Sequence, residues 1–472
     1  MKHSDILLLL SPVSLDEDKK IFPTYFPYFS LTCATHLKKA DFQVKIIDYY
    51  QNFKEKIDII KEIKKNNPKL IGFCISEPTR YLPFDTHITF INFINSISKV
   101  PIFIFGLYQT WNLEQYAQNN YIDHILYGDP EHSIVHLAKE QLIEHSKEIP
   151  RILGFKSQNN ILPLKINNLN EILPIDYSFI DSHQYKFNPH RYKNSTLHHM
   201  IISRGCPWNK CTFCEDMSLL KMPPYRYKSA EAVIEEIEYI YKKNHSFEIQ
   251  FYDPQFITDI DWLTEFSQLI DQKNLSFKWS CLSRADNLNE QVLKLMSQAG
   301  CWNIIIGIES FSEHLLKEIN KGISNPQVIQ AIKLCKKHKI EVTGSFLLGL
   351  PNEVPADVIN SSKQAIKLDL DYVQFFIAKY SDNHQLVHKK KYQVSHQIDY
   401  SQFDFIGTPL ILKNYRDLDH LKQTQKKAYR VFYFNYKTIL KIIKKINSFK
   451  DVLRIFKGLI ILLKISSNKS LK

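Results

Sequence analysis

The stretch "HHMIISRGCPWNKCTFCED", residues 198–216, joins an apolar run to a loop holding three of the chain's eight cysteines. Two things follow from how it is read: the kind of sheet that contains the run, and the group that three thiols this close together would bind. The run is a strand candidate ending at glycine. The strand candidates "FEIQFYD", "KWSCLSRA", "WNIIIGIES", "EVTGSFLLGLP" and "YVQFFIAKY" follow it, interleaved with helical periods. One of those helices opens at Ser324-Asn325-Pro326, an N-cap followed by a proline suited to the first turn. Six β/α repeats are too few for a full eight-stranded barrel. They predict a partial (β/α)6 TIM-type barrel over 196–385, with its sites at the strand C-terminal ends.

Upstream the same alternation runs through residues 1–145, with "ILLLLSP", "QVKIIDYY", "LIGFCIS", "VPIFIFG" and "HILYGD" as strands. Strands this uniformly apolar predict a parallel sheet covered by helices on both faces, a flavodoxin-like (Rossmann-like) α/β domain. Its ligand crevice would lie beyond the strand ends, in the loops Ser76–Thr79, Gly106–Thr110 and Gly128–Glu131. Residues 146–195 read as a linker with a small hairpin, and 386–472 as a basic, mostly helical C-terminal region.

At 472 residues the chain has room for more than one domain, and 44% hydrophobic with 23% charged residues excludes a disordered chain. The N-terminal "DILLLLSPV" has no small-residue cleavage site and is followed by Asp16, Glu17 and Asp18, so it reads as a strand rather than a signal peptide. No stretch approaches ~20 apolar residues without charge, so no transmembrane helix is expected. Cys33, Cys74, Cys281, Cys301 and Cys335 stand singly on apolar segments, which suggests reduced thiols in the cytoplasm and no disulfides. Glycine is scarce, 12 in all, yet Gly205, Gly307, Gly344 and Gly349 sit on or beside strand ends, as a ligand site there would require.

The net charge of +12 lies wholly in the tail. From Lys426 onward there are eleven Lys and two Arg against one acid, Asp451, which leaves residues 1–425 neutral. Ile439, Ile442, Ile443, Ile446, Phe449, Val452, Leu453, Phe456, Ile460 and Leu463 recur there at helical spacing. One reading is a basic amphipathic helix on an anionic membrane, or one guiding an acidic substrate. The preferred reading is a terminal helical pair packed on the protein, with its lysines in water. Tyr429, Phe432, Tyr433, Phe434 and Tyr436 are a weak nucleic-acid signal that core packing explains equally well, so nucleic acid is not an expected partner.

Cys206, Cys211 and Cys214 follow the pattern C-x4-C-x2-C. Zinc wants four closed ligands, and no fourth is evident nearby, since His198 and His199 precede the motif within the strand. A cubane iron–sulfur cluster takes one cysteine per iron, so three thiolates leave one iron open to an amine and a carboxylate. The cluster is preferred on spacing, with zinc still open.

These residues carry a resemblance. "RGCPWNKCTFC", with Phe213 before the last cysteine, resembles the cluster motif of radical SAM enzymes. The spacing is one residue longer than the commonest form and looks like that of some cobalamin-dependent and peptide-modifying members. "YDPQF", "LSRADNLNEQVLKLMSQAGCWNIIIGIES", "INKGI" and "GSFLLGLPNE" agree in order, so the resemblance covers about 195–385. Residues 1–145, ending in "ILYGDPEHSI", look like the cobalamin-binding domain that precedes this core in many members. The histidine-ligand motif D-x-H-x-x-G is missing after the first strand; "DTHITF" (Asp85, His87) lies in the wrong repeat and reads as a helix pair. Leu107 stands where the family often has glycine. Radical SAM members commonly bind cobalamin without that histidine.

The resemblance implies a [4Fe-4S] cluster on the three cysteines. It implies S-adenosylmethionine on its open iron, reductive cleavage to a 5'-deoxyadenosyl radical, and electrons from a donor such as flavodoxin or ferredoxin. Tyr252, Asp253 and Pro254 would meet the methionine moiety. Arg284 and Glu309 would meet its carboxylate and the ribose or amine, and Gly349–Glu353 the adenine. Ser76, Thr79, Gly106, Thr110, Gly128 and Glu131 would line the cobalamin crevice. Cobalamin-dependent C-methylation of an unactivated carbon is the expected reaction. Ring closure or rearrangement, and an N-terminal domain that has lost cobalamin, stay open, as does a non-enzymatic zinc or iron module tethered by its tail. Methylthiolation needs a second cluster, for which the first domain offers only Cys33 and Cys74. After the sixth strand "AKYSDNHQ" replaces the family's proline-glycine turn. Lipid, peptide, tetrapyrrole precursor and small metabolite all remain as substrates.

Overall fold

A computed structural model describes residues 4–10, 26–48, 56–77, 80–81, 84–106, 113–146, 148–157, 160–181, 185, 196–214, 225–243, 245–378, 414–446 and 448–466. Two compact units emerge: Met1–Lys186 with Lys221–Lys228 and Asp399–Ile406, and Phe187–Leu220 with Ser229–Ile398 and Gly407–Lys472.

The first unit is built on β1 (Ile6–Leu10), whose five consecutive aliphatic residues are all buried. Burial on both faces is what a central strand of a helix-covered sheet requires. Both of its edges are paired in parallel, with β2 (Val44–Asp48) on one side and β3 (Leu70–Glu77) on the other. A two-residue β4 (Arg80–Tyr81) turns back antiparallel on β3. The sheet continues through β5 (Ile102–Gly106), β6 (His124–Leu126) and β7 (Ile152–Leu153) in the order β2-β1-β3-β5-β6-β7. The order reverses between β1 and β3, the switch point of a flavodoxin-like sheet. Leu7, Leu9, Ile71, Phe73 and Ile104 pack on Ile59, Ile63, Phe90, Ile91 and Ile94 of the helices Lys56–Asn66 and Phe84–Ile97. Each such fully buried side chain contributes ~1.5–3 kcal/mol. The helix Tyr28–Lys39, buried along its first ten residues, packs with the helix Pro130–Lys139.

His87 sits in the helix Phe84–Ile97, buried, its Nδ1 2.9 Å from the Tyr116 hydroxyl, as a helix residue rather than a ligand candidate. After β6 the chain is pinned by charge. The Asp129 carboxylate accepts from the Ile166 N–H (2.8 Å) and from Arg226 (2.9 Å), and Lys228 donates to the Ile172 carbonyl (3.1 Å), all buried. The expected hairpin is present as β8 (Phe155–Ser157) and β9 (Asn160–Leu162).

The second unit is a curled half-barrel. Its strands are β10 (Thr196–Met200), β13 (Phe247–Phe251), β14 (Lys278–Ser283), β15 (Cys301–Glu309), β16 (Glu341–Leu348) and β17 (Tyr372–Ile377), with the two-residue β11 (Ser203–Arg204) and β12 (Arg226–Tyr227) between the first two. All six barrel strands are parallel and lie in chain order. On the outer face Phe251 and Trp279 pack with Phe256 and with Trp262 and Phe266 of the helix Ile260–Gln272. The opposite face presents His199, Gln250, Ser280 and Asn303 in one register row, so the barrel interior is polar. Ser324 caps the helix Asn325–Lys337 as expected, with the Gln327 side chain reaching back to its N–H at 2.8 Å.

The last strand of an open sheet exposes backbone donors that invite further pairing. Here the helix Leu418–Tyr433 covers them: the Phe375 and Val373 N–H groups donate to the hydroxyls of Tyr429 (3.0 Å) and Tyr433 (3.1 Å). Tyr429, Phe432 and Tyr433 are therefore structural. The "GLPNE" turn is tied to the start of this segment, because the buried Glu353 Oε1 accepts from the Gly349 N–H (2.9 Å) and the Tyr415 hydroxyl (2.6 Å). Burial pushes the Glu353 carboxyl up to about 7, partly offset by those donors. A carboxyl raised by folding binds more protons in the native state, so its contribution to stability is full below ~4.5 and is lost as pH rises through about 7. Thermal melts should show the wild type losing Tm across pH 5–8 relative to Glu353→Gln, whose profile stays flatter in that window.

Candidate functional site

The cysteine loop leaves β10 through Ile201 and Ile202 and turns at Gly205 (φ +93°) and Asn209 (φ +44°). Cys211 is buried, and Cys206 and Cys214 are half-buried. The loop docks on residues 316–322, which follow β15. The Thr212 N–H donates to the Ile319 carbonyl (2.9 Å), Trp208 Nε1 to the Asn320 carbonyl (3.0 Å), and Asn320 Nδ2 to the Lys210 carbonyl (3.0 Å). Phe213 packs against Leu316, Ile319 and Leu350. Trp208 lies directly on Gly322, where a Cβ would fall 2.0 Å from the indole and where φ is +69°. Any side chain at 322 would expel the ring, so the glycine of "INKGI" is a seat for the loop.

From the other side, Asp253 holds the strand that delivers the loop. Its Oδ1 accepts from the Ile202 N–H (3.0 Å), the Ser203 N–H (2.7 Å) and the Ser203 hydroxyl (2.6 Å). The side chain is fully buried, and burial pushes its carboxyl up to about 6 against these three donors. Asp253 was expected beside the methionine moiety; the structure commits its carboxylate to the cysteine loop's root. Tyr252, half-buried, stacks on His199 with ring centroids 5.3 Å apart, and Pro254 is exposed.

Charged groups crowd the same place. Arg284 forms a two-pronged pair with Asp286 (3.0 and 2.9 Å), and its guanidinium lies 4.5 Å from the Trp208 ring centre. Glu309, at φ +65° where β15 ends, pairs with Lys321 at 2.7 Å, both buried. A Cβ at Gly307 would stand 2.8 Å from the Glu309 carboxylate and 2.9 Å from Lys321 Nζ, so this glycine leaves the space that the pair fills. Burial opposes the Lys321 charge, yet Glu309 and Cys211 outweigh it and hold the ammonium above its usual range. Burial pushes the Cys211 thiol up, with Lys321 pulling the other way. Gly349 (φ +80°) follows β16, with Leu421 and Ala378 its nearest neighbours.

The donor set fits a cluster. Three thiols on one loop lie at the C-terminal mouth of the barrel, with Arg284 and Lys321 nearby to offset the negative charge of thiolate-bound iron and sulfide. Among the described residues, no three His, Cys, Asp or Glu side chains converge on a point as one chelated ion would require. Deeper in the barrel, the Gln250 amide and the Ser280 hydroxyl, adjacent in register and fully buried, have no hydrogen-bond partner. Sequence reading missed Lys321, Trp208 and the Gln250–Ser280 pair. "INKGI" was the available signal for the first, whereas the other two depend on strand register and on contacts with distant segments.

In the first unit, Ser76 and Gly106 pair in register where β3 and β5 end, and Gly128 follows β6. Thr79 and Thr110 lie outside the described residues. Gly128 (φ +109°) is explained by the chain itself, since a Cβ there would fall 2.1 Å from the Leu164 carbonyl oxygen. Glu131 is fully buried in the first turn of its helix.

Residues 200–365 match the radical SAM superfamily. The chain therefore carries a radical SAM domain. It is 29% identical to an uncharacterized methyltransferase of Pyrococcus horikoshii, over 98% of this chain and 99% of that one. The radical SAM methyltransferase TsrM from Kitasatospora setae, in a structure with cobalamin and a [4Fe-4S] cluster bound, aligns with a TM-score of 0.65 at 14% identity, over 98% and 99% of the chains. The cobalamin-dependent radical enzyme OxsB, with aqua-cobalamin bound, aligns at 0.69 and 17% identity, over 98% of this chain and 72% of that one. These two share its fold.

Two pairs of variants probe the site's construction. Asp253→Ala strands two buried N–H groups at a cost of about 1–3 kcal/mol each and should lower iron content after reconstitution, whereas Asp253→Asn, which keeps an acceptor, should retain most of it. Lys321→Met leaves Glu309 buried without its cation and should cost about 3–5 kcal/mol in denaturant unfolding; adding Glu309→Gln should recover most of that loss.

Proposed function

We propose that this radical SAM enzyme holds a [4Fe-4S] cluster on Cys206, Cys211 and Cys214, cleaves S-adenosylmethionine, and methylates an unactivated carbon with the help of cobalamin in the first unit. The observation that carries the reading is a three-thiol loop fixed at the mouth of a parallel half-barrel, where three ligands leave one iron free for a chelating co-substrate. When bound, the cluster supplies the electron that breaks the sulfonium bond, and flavodoxin or ferredoxin is the class of protein that would restore it.

The chain's own residues then have positioning roles. Trp208, Thr212 and Phe213 hold the loop against 316–322, and Asp253 holds its root. Arg284, oriented beside Trp208 by its pair with Asp286, suits the methionine carboxylate, and the Tyr252 backbone suits its amine. Glu309, paired with Lys321, suits the ribose hydroxyls, and the Gly349 turn suits the adenine. Gln250 and Ser280 give the interior a donor and acceptors for a polar substrate group. For cobalamin, the support is the flavodoxin-order sheet, the strand-end positions of Ser76, Gly106 and Gly128, and the full-length likeness to a methyltransferase.

Anaerobic reconstitution should give about four irons per chain with sulfide, and reduction should release 5'-deoxyadenosine. Cys211→Ala should abolish both; stoichiometric zinc in the wild type, or cleavage retained by the variant, overturns the proposal. Cobalamin titration reports separately on the methylation arm.

A further inference from the structure

Of the terminal helices Tyr436–Lys444 and Phe449–Ser466, the first is mounted the opposite way from a packed amphipathic helix. Lys441 and Lys445 face the protein, whereas Lys437 and Lys444 are exposed beside the aliphatics. Lys441 pairs with Asp371 (3.0 Å) and Asp369 (3.1 Å), and Lys445 with Asp371 (2.7 Å) and Glu341 (3.0 Å), while Lys445 also lies 4.7 Å above the Tyr372 ring. Those acids stand where β16 and β17 begin. The expectation of an apolar face packed on the protein, with lysines in water, is thus reversed at these positions, because acidic groups at the strand starts select the lysine face.

The consequence is an uncovered stripe. Tyr436, Ile439, Leu440, Ile443 and Ile446, then Phe449, Val452, Leu453, Phe456, Leu459 and Ile460, recur at three- and four-residue intervals and are all exposed, Phe449 by 76% and Phe456 by 59%. Isolated exposed aliphatics are ordinary on a soluble protein, whereas eleven along two consecutive helices form one surface that water disfavours. The tail from Lys426 onward, to which these helices belong, carries the chain's entire net charge, and among the described residues no helix is long and apolar enough to cross a membrane. Apolar residues edged by lysines, without the length to span, suit a surface that is greasy beneath and negatively charged above.

We propose that residues 436–460 form a docking surface for an anionic lipid bilayer, with the apolar stripe entering the headgroup region and exposed lysines such as Lys437 and Lys444 meeting lipid phosphates. The docked helices sit at the strand-start end of the half-barrel, and the cysteine loop lies at the strand-end mouth. The membrane therefore holds the protein from behind and leaves the mouth open.

Flotation of the full chain with vesicles tests this without any cofactor, so its outcome is separable from that of the proposed reaction. The chain should float with phosphatidylcholine vesicles containing about 30% phosphatidylglycerol, and binding should fall about tenfold or more with phosphatidylcholine alone or in ~0.5 M salt. Phe449→Asp/Phe456→Asp, which alters exposed positions only, should lose binding to the same extent while keeping the wild-type Tm. The tail has no tryptophan, so Phe456→Trp should add emission that shifts blue on anionic vesicles. A chain that stays with the soluble fraction in every mixture overturns the proposal. So does a double variant that floats like the wild type, or a dimer by light scattering that the double variant dissociates without any vesicle binding.

Discussion

The seat of Trp208 on Gly322 is the contact on which the site depends. A loop of ten residues between Gly205 and Cys214 has no regular structure of its own and includes two positive-φ positions. It is held by borrowed surfaces: backbone bonds to Ile319 and Asn320, the Phe213 ring among Leu316, Ile319 and Leu350, and the Asp253 carboxylate at its root. Because 316–322 spans the end of the short helix Glu313–Glu318 after β15, the loop after the first barrel strand is positioned by the segment after the fourth. Placing thiols that way converts the curvature of the sheet into the geometry of a site.

Electrostatics follow from the same docking. Bringing Cys211 under cover raises the cost of a thiolate, and the Lys321 ammonium lies where that cost is offset. Lys321 in turn is buried and needs Glu309, whose left-handed backbone lets the strand end carry its side chain to the ammonium. Gly307 leaves the volume for both. Three residues of "GIE" and "NKG" thus form one unit, although twelve positions separate the two charges.

Much of this was legible in the sequence. The all-apolar run of β1 and the repeated strand–helix alternation specified both parallel sheets, since burial on two faces leaves no room for polar alternation. The C-x4-C-x2-C spacing located the thiols. The helix Tyr436–Lys444 was read the wrong way round at Lys441 and Lys445, because periodicity reports that a helix has two faces and not which one its neighbours prefer; Asp369, Asp371 and Glu341 decided that from a distant part of the chain. Asp253 and Arg284 were expected as site residues, but the commitment of Asp253 to Ser203 emerges only when separate strand ends meet.

The cysteine loop also adds little to the interior of the half-barrel. Its single apolar contribution, Phe213, joins a small satellite cluster, while the strands and helices bury Phe251, Trp279 and their neighbours without it. In small metal-built domains the ion supplies the folding energy, and chelation unravels the chain. Here the scaffold is self-sufficient. Oxygen that strips the iron would leave an intact apoprotein, ready to be recharged rather than degraded.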